Sequence, residues 1–478
     1  MSTSGNVNPF QWLPTELIYC IFDYLDLDSL KAFGLTCHRM ESIFSNYSRS
    51  RFMLLIGDDL NLLPVSRSRP PYFMAAAARM IKHSKRYFQN LYLSVYMTRI
   101  DGDVASMNCV LNKVLEPEWL QQLVVLKLAM GNGSDWYARQ LTAAVTKMDR
   151  LQELQFIQSH FVTEMSLSEV LNIESNTVQR MVLETLVPRA INCPKLRKLD
   201  VAAHLDAQVH FGKQYAQYGD TEPFWKLKQL EEFTIIKPIV PCSYTQHRPG
   251  YEFIFYKHLT QLKKLHIYET AVSEKILQCI CESCVQLEDL FIYTLQAIDS
   301  DSLRYLSNLQ HLRRLAIWFT MTPQPVSFAS VKLPKLEQLT LGNLEVVWKS
   351  LNKFQSIKSL NITPTTDDEL YNAIATARRM IKLQFLWLDF RCIGNPISTL
   401  PVLKELSQLK TLILENLDVR LINPTYMLPL PQLTRLVLPK CPGNQDLLLD
   451  ARLFPNVKKI ELKVPECFSC DFKRRYYK

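Results

Sequence analysis

The chain has 478 residues, 47% of them hydrophobic and 21% charged, a balance that argues against disorder over most of its length. Its 55 basic and 46 acidic residues leave a net charge of +9, spread along the chain, which is only a weak pointer to an acidic partner. The 12 glycines are too few for Gly-rich phosphate loops, propeller blades or β-helices, and the 12 irregularly spaced cysteines make no disulfide scaffold.

The opening MSTSGNVNPFQWLP lacks the charged start and apolar core of a signal peptide. No apolar run approaches the ~18–20 residues of a membrane span. A reduced, intracellular protein is expected, cytoplasmic or nuclear and without membrane contact.

Leu13 to Met40 read LPTELIYCIFDYLDLDSLKAFGLTCHRM. Pro14 suits the first turn of a helix, and Glu16 favours a helix N-terminus. Leu17, Ile18, Ile21, Phe22 and Leu25 then recur at helical spacing. Asp28 is placed to cap a second helix carrying Leu30 and Phe33, and Cys37 to Phe44 read as a third. Three helices in ~40 residues enclose little core of their own. The apolar side chains are therefore expected to bury in a partner. Five of them would contribute on the order of 7–15 kcal/mol gross, before ordering and association costs.

These residues resemble the F-box over positions ~9 to 50, with matches at Leu13, Pro14, Glu16, Leu17, Ile21, Phe22, Leu25, Leu30, Cys37 and Arg39. The resemblance implies docking onto the Skp-family adaptor of a cullin–RING assembly, through Leu13, Pro14, Leu17, Ile21, Phe22, Leu25 and Leu30. One departure stands out: the family usually has Trp after its Cys-x-Arg run, and this chain has Met40, which fills an aromatic's space less rigidly. A helical cap sealing the first repeat is the plainer alternative.

Residues 51–87 read as a connector, with Arg51 to Ile56 as a possible early strand and Val65 to Phe73 (VSRSRPPYF) as an exposed loop. From 88 to 466 the hexad L-x-x-L-x-L recurs with conservative swaps, beginning with FQNLYL at Phe88 and ending with VKKIEL at Val457. Fourteen copies are visible, and VQRMVL from Val178 is a further candidate. From Leu262 the copies step by 25, 25, 24, 21, 26, 26, 24 and 24 residues. The fourth and sixth hexad positions alternate inward on a short strand, and amphipathic stretches such as AVSEKILQCICESC fill the intervals. Good caps precede two of these stretches, Asp299-Ser300-Asp301 and Thr366-Asp367-Asp368.

This pattern resembles the leucine-rich repeat family. It implies an α/β fold: a three-helix F-box followed by a curved leucine-rich repeat solenoid, parallel strands concave and helices convex. Cys193 and Cys284 lie three residues before their hexads, and Cys441 takes the family's Asn/Cys position. Those cysteines resemble the subtype found in ubiquitin-ligase receptors. Thr270, Thr320 and Leu344 replace it elsewhere, so the repeats are degenerate.

The third and fifth hexad positions, with the residue after the sixth, project onto the concave face. They give Lys264, His266 and Tyr268, then Asp289, Phe291 and Tyr293, then Arg314, Ala316 and Trp318. A second cluster is Phe385, Trp387 and Asp389, near Lys459, Glu461 and Lys463. Exposed aromatics on neighbouring strands are hot-spot material, so Tyr268, Phe291, Tyr293, Trp318, Phe385 and Trp387 are candidate contacts for a protein substrate. A loop or the C-terminal tail packing over them is the alternative.

No HExxH, Gly-rich phosphate loop or nucleophile elbow occurs, so no catalytic residue, metal or cofactor is expected. Cys279, Cys281 and Cys284 read as core thiols. Cys467-x-x-Cys470 is a lone pair within a basic tail, 467–478, that ends KRRYYK. The resemblances together imply a non-catalytic substrate-recognition subunit of an SCF-type ubiquitin ligase. Alternatives are an interaction scaffold that ubiquitinates nothing and a nucleic-acid solenoid. Asp289, Asp389 and Glu461 argue against the last, because they interrupt any basic track.

Overall fold

The computed structural model describes residues 12–57, 73–82, 87–95, 102–130, 135–158, 172–184, 188, 190–202, 226–236, 254–270, 272–294, 298–319, 326–393, 406–416, 432–439 and 456–463. The chain divides into two compact units, Met1–Lys195 and Leu196–Lys478.

The first unit opens with three helices, α1 (Thr15–Phe22), α2 (Leu27–Gly34) and α3 (His38–Arg51). Next come β1 (Met53–Ile56), α4 (Met74–Lys82), β2 (Asn90–Val95), α5 (Gly102–Val114) and α6 (Pro117–Leu120). After these follow β3 (Val125–Met130), α7 (Asp135–Val145), β4 (Glu153–Gln158), β5 (Asn172–Glu174), β6 (Arg180–Glu184) and β7 (Ala190–Asn192). Strands β1, β2, β3, β4 and β6 pair in that order, all parallel, while β5 and β7 pair with each other. The early strand expected over 51–56 is thus β1. The connector also holds α4, a helix the sequence reading lacked. Most of the VSRSRPPYF stretch lies outside the described residues.

The second unit contains β8 (Lys198–Ala202), β9 (Glu232–Ile236), β10 (Lys264–Thr270), α8 (Glu274–Ser283), β11 (Asp289–Thr294) and β12 (Arg314–Phe319). Beyond them come β13 (Gln338–Gly342), β14 (Ser359–Thr363), α9 (Asp367–Ala377), β15 (Phe385–Asp389), β16 (Thr411–Glu415), β17 (Arg435–Pro439) and β18 (Lys459–Lys463). Each strand pairs in parallel with the next.

Every hexad, VQRMVL included, forms a strand beginning two residues into it. The register is in phase from repeat to repeat: Leu265 lies beside Leu290, Leu290 beside Leu315, and Leu315 beside Leu339. These fourth-position side chains are essentially fully buried, as are the sixth-position Ile267, Ile292, Ile317 and Leu341. Each is buried by its neighbours in adjacent repeats, and each contributes roughly 1.5–3 kcal/mol. A backbone ladder runs just before the strands. Lys263 N donates to Glu231 O at 2.8 Å, Glu288 N to Lys263 O at 2.8 Å, and Arg313 N to Glu288 O at 2.9 Å.

Among the described residues, the segments between strands are less helical than the amphipathic pattern predicts. The described residues of the second unit hold two α-helices, α8 and α9, and three 3-10 turns, Ile254–His258, Ser302–Asn308 and Trp348–Leu351. A 3-10 turn rises about 2.0 Å per residue against 1.5 Å for an α-helix, so it spans a short interval with fewer residues. The expected caps are present. Asp299 Oδ1 accepts from Asp301 N at 2.8 Å and Ser302 N at 2.9 Å. Thr366 Oγ1 accepts from Glu369 N at 3.1 Å, and Thr365 N donates to Glu369 Oε2 at 2.7 Å. Cys279, Cys281 and Cys284 are buried on or just after α8. Burial pushes the Cys284 thiol up to about 12, so these residues behave as core thiols. Among the described residues no group of three or more His, Cys, Asp or Glu is placed to hold a metal, and no helix is long and apolar enough to cross a membrane. Cys467, Cys470 and the KRRYYK ending lie outside the described residues.

One buried acid interrupts the first unit's strands. Glu184 on β6 is only 6% exposed and accepts a hydrogen bond from Gln155 Nε2 at 3.3 Å. Burial raises its pKa to about 7, against the partial opposition of Gln155 and the Lys127 charge. The folded value exceeds the ordinary 4.5, so the stability from protonated Glu184 is complete below pH 4.5 and is lost as pH rises through 7. Glu184→Gln should raise the first unit's unfolding free energy by on the order of 2–3 kcal/mol at pH 8 and leave it nearly unchanged at pH 4.5. Urea melts at both pH values check this, and an equal effect at both would contradict it.

Candidate functional site

Two surfaces bear on function, one in each unit. The first is the three-helix segment. Pro14 stands at the N-cap of α1, and Asp26, rather than Asp28, caps α2 by accepting from Ser29 N at 2.7 Å. Asp28 sits in the first turn and pairs with Lys31 at 3.5 Å on the surface. The third helix runs to Arg51, about two turns past the Phe44 end that the sequence pattern predicts.

The segment encloses a core of its own. Ile18, Phe22, Leu30, Met40, Ile43, Tyr47 and Phe52 are buried together, with Leu13, Leu25 and Phe33 packed against them. Phe22 is the hub: its ring meets Phe33 edge-on at 5.6 Å and Tyr47 at 5.1 Å between centroids. Tyr47 donates to Asp23 Oδ1 at 2.8 Å, and Arg39 Nη2 donates to Leu13 O at 2.6 Å. Gly34 lets α2 approach α3 closely, since a Cβ there would meet the Phe44 ring at 2.8 Å. Met40 is 1% exposed, so where the family usually has Trp this chain places a core side chain rather than a surface one.

The expected docking residues therefore divide. Phe22 and Leu30 belong to the interior, as does Ile18, so the estimate of partner burial included residues already buried at home. Leu13, Ile21 and Leu25 are half-buried, while Pro14 and Leu17 are exposed, Leu17 at 51%. Sequence reasoning missed three large apolar side chains left open here: Trp12 at 78%, Tyr24 at 92% and Leu35 at 82%. Tyr24 and Leu35 fall at the ends of α1 and α2, where helical spacing no longer assigns a face. Aromatic packing ties this segment together, so Phe22→Ala should cost roughly 3–5 kcal/mol and melt it. Leu35→Ser should change stability by less than about 0.5 kcal/mol. Limited proteolysis of residues 12–52 checks the contrast.

The second surface is the strand face of the second unit. In-register rows place His266, Phe291, Ala316, Thr340, Asn361 and Trp387 side by side on β10 to β15. The next row holds Tyr268, Tyr293, Trp318, Gly342 and Thr363. Large side chains at the two ends and small ones between them leave a cavity of about 300 Å³. Tyr268, Phe291, Trp318 and Trp387 line it; Tyr293 and Phe385 do not, although Tyr293 lies 6.4 Å from the Trp318 ring. The two aromatic clusters read separately in the sequence are thus walls of one pocket.

Several contacts fix those walls. Tyr268 stacks on Phe291 at 4.6 Å. A Cβ at Gly342 would fall 2.2 Å from Trp318 Cδ2, so the indole lies directly on β13 only because residue 342 has no side chain. Arg391 sits over the Trp318 ring at 5.5 Å and is held by Asp389, with Nε 2.6 Å from Oδ2. Asn416 Nδ2 donates to the other Asp389 oxygen at 2.8 Å, from a left-handed backbone at φ 56° that asparagine tolerates. Arg391 follows β15 and lies outside every hexad position, so the repeat pattern gave no signal for it.

At the opposite wall Asp289 Oδ2 lies 2.8 Å from Arg314 Nη2 and 3.3 Å from His266 Nε2, the latter contact poorly aligned for a hydrogen bond. Burial pushes the Asp289 carboxyl up, but contact with His266 and the charges of His266 and Arg314 outweigh it, leaving the pKa below the ordinary carboxylate value. Each acid in the cavity thus has its own arginine. The arrangement offers aromatic walls and matched charges, which are materials of recognition. Side chains of Lys459, Glu461 and Lys463 lie outside the described residues.

Residues 10–51 match the F-box domain family. No curated protein matches the chain. Among solved structures the chain is similar to TLR13 in its complex with ssRNA13, at 16% identity and a TM-score of 0.37, over 73% of this chain and 44% of that one. A leucine-rich repeat protein of Leptospira interrogans matches at 15% identity and a TM-score of 0.31, over 82% of this chain and 99% of its own. The mouse RP105/MD-1 complex matches at 13% identity and a TM-score of 0.38, over 91% and 79%. The chain thus spans less than half the length of TLR13. On the family match and the in-phase parallel hexads, the chain carries an F-box domain at residues 10–51 and, after it, leucine-rich repeat strands.

Proposed function

We propose that this protein is the substrate-recognition subunit of an SCF-type ubiquitin ligase. Its F-box docks the Skp-family adaptor, and its repeats hold a target protein for ubiquitination and degradation. The observation that carries the reading is the exposure of Leu17, Tyr24 and Leu35 on a domain whose own core is already complete. Surplus apolar surface on so small a domain is partner-binding material. The subunit performs no bond chemistry. It raises the effective concentration of target lysines near the ubiquitin-loaded enzyme. The cytoplasm or nucleus is the compartment where such a complex works.

The test separates docking from folding. Leu17→Asp combined with Leu35→Asp should abolish co-purification with the adaptor while the melting profile stays unchanged, because both residues are exposed. Phe22→Asp is unsuitable, since it puts a charge in the core. Full retention of the adaptor by the double variant would sink the docking reading.

A further inference from the structure

The charges around the strand-face pocket are matched in number but not in exposure. The Asp289 side chain is 13% exposed against 54% for Arg314, and Asp389 is 5% exposed against 33% for Arg391. Both acids are sunk, and it is the guanidinium groups that meet solvent. Cations also flank Asp289 in register, since Lys264 and Arg314 are its partners on β10 and β12. A further acid, Glu415 on β16, acts on Arg391 but lies outside the cavity lining. The accessible charge of the pocket is therefore positive, although its Asp–Arg pairs sum to zero.

The two arginines bracket the hollow along one strand. Arg314 opens β12, Trp318 stands four residues further along it, and Arg391 sits over the Trp318 ring at 5.5 Å. Roughly 13 Å of strand, at about 3.3 Å per residue, thus separates the two cationic ends. Between them lie the small side chains of Ala316 and Thr340, walled by Phe291 and Trp387. A guest chain extended along β12 covers the same distance in about four residues and turns every second side chain to the sheet. Its positions i−2, i and i+2 then face Arg314, the hollow and Arg391. Arg314 commits Nη2 to Asp289, and Arg391 commits Nε and Nη2 to Asp389, so each five-donor fork keeps N–H groups for a second acceptor. A carboxylate suits that place. An ammonium there would meet a like charge, and a phosphate dianion would confront the aspartate that already shares the guanidinium. At about 300 Å³ the cavity has room for one apolar side chain in the middle.

We infer that this pocket binds an extended acidic segment of the target protein. An apolar side chain of the segment sits between Phe291 and Trp387, and a Glu or Asp carboxylate two residues to each side meets Arg314 at one end and Arg391 at the other. The aromatic walls supply the contact area, and the two exposed guanidinium groups fix the register of the guest and exclude basic segments. The inference rests on the receptor reading for the partner being a target protein and on the pocket alone for its chemistry.

Labelled nonapeptides, rich in glycine and serine, test this by fluorescence anisotropy against the full chain. Each carries a central Phe with Glu, Gln, Lys or phosphoserine two residues to either side, and one further peptide keeps both Glu residues but has Gly at the centre. The Glu-flanked Phe peptide should bind at least ten-fold tighter than the Gln-flanked one and at least five-fold tighter than the Gly-centred one. Arg314→Gln should cut the preference for Glu over Gln to under three-fold, and Arg314→Lys should restore most of it. Binding of the Gln-flanked peptide should stay within two-fold in both variants, which shows that the hollow is still folded. Equal binding of all peptides, absence of binding, preference for Lys flanks, a ten-fold preference for phosphoserine over Glu, tighter binding of a single-stranded oligonucleotide, or a Glu preference that survives Arg314→Gln would each overturn the inference. Adaptor co-purification from the same preparations separates the two claims. Adaptor capture without acidic preference removes only the pocket assignment, and acidic preference without adaptor capture removes only the receptor reading.

Discussion

No single repeat of this protein can bury its own leucines, and the rest of the structure follows from that constraint. A hexad strand five residues long has two inward side chains and nothing of its own to cover them. Leu315 becomes 1% exposed only because Leu290 and Leu339 flank it in register. A one-residue slip would turn those leucines outward and carry Arg314 and Trp318 inward. The register that buries the leucines is therefore also what aligns the outward positions into rows. The pocket is a by-product of that alignment: once the rows exist, residue size along them sets the relief. Ala316 and Thr340 are the small residues of the lining, Phe291, Trp318 and Trp387 make the walls, and Gly342 lies under the Trp318 indole.

The F-box solves a different problem. Its helices do not repeat, so it closes an aromatic core around Phe22 from the three helices and Phe52 just beyond them. The end of α3 is tied to the first repeat by Gln89 N donating to Arg49 O at 3.1 Å and Asn90 Nδ2 donating to Ser50 O at 2.8 Å. Because that core is complete, the apolar residues left over are free to face a partner. The interior position of Met40 fits this division: it completes the domain's packing and leaves the outer surface to Leu17, Tyr24 and Leu35. The fold and the proposed docking surface draw on different residues of one short segment.

Much of this was legible in the sequence, and the failures have identifiable causes. All fifteen hexads, the weak VQRMVL among them, became strands with the same two-residue offset, because a period-2 pattern with buried leucines admits one solution. Helical spacing grouped Leu17, Ile18, Ile21, Phe22 and Leu25 as one apolar set but could not divide inside from outside, since that depends on how α1 packs against α3. Tyr268, Phe291, Trp318 and Trp387 were placed on one face by hexad arithmetic. Their union into a single pocket turned on the small residues between them, a signal present in Ala316, Gly342 and Thr363 but not read. Arg391 was out of reach because it lies beyond the hexad and acts through Asp389 and Trp318.

The proposed function is a division of labour, in which the helices at 12–52 would hold the adaptor and the strand face of β10 to β15 would stay open for a target. Hydrogen exchange on the full chain, with and without the adaptor, tests it most directly. The account predicts slowed exchange at the amides of Thr15 to Leu35 and unchanged exchange across residues 264–391. Protection centred on the repeat strands, with none over Thr15 to Leu35, would contradict it.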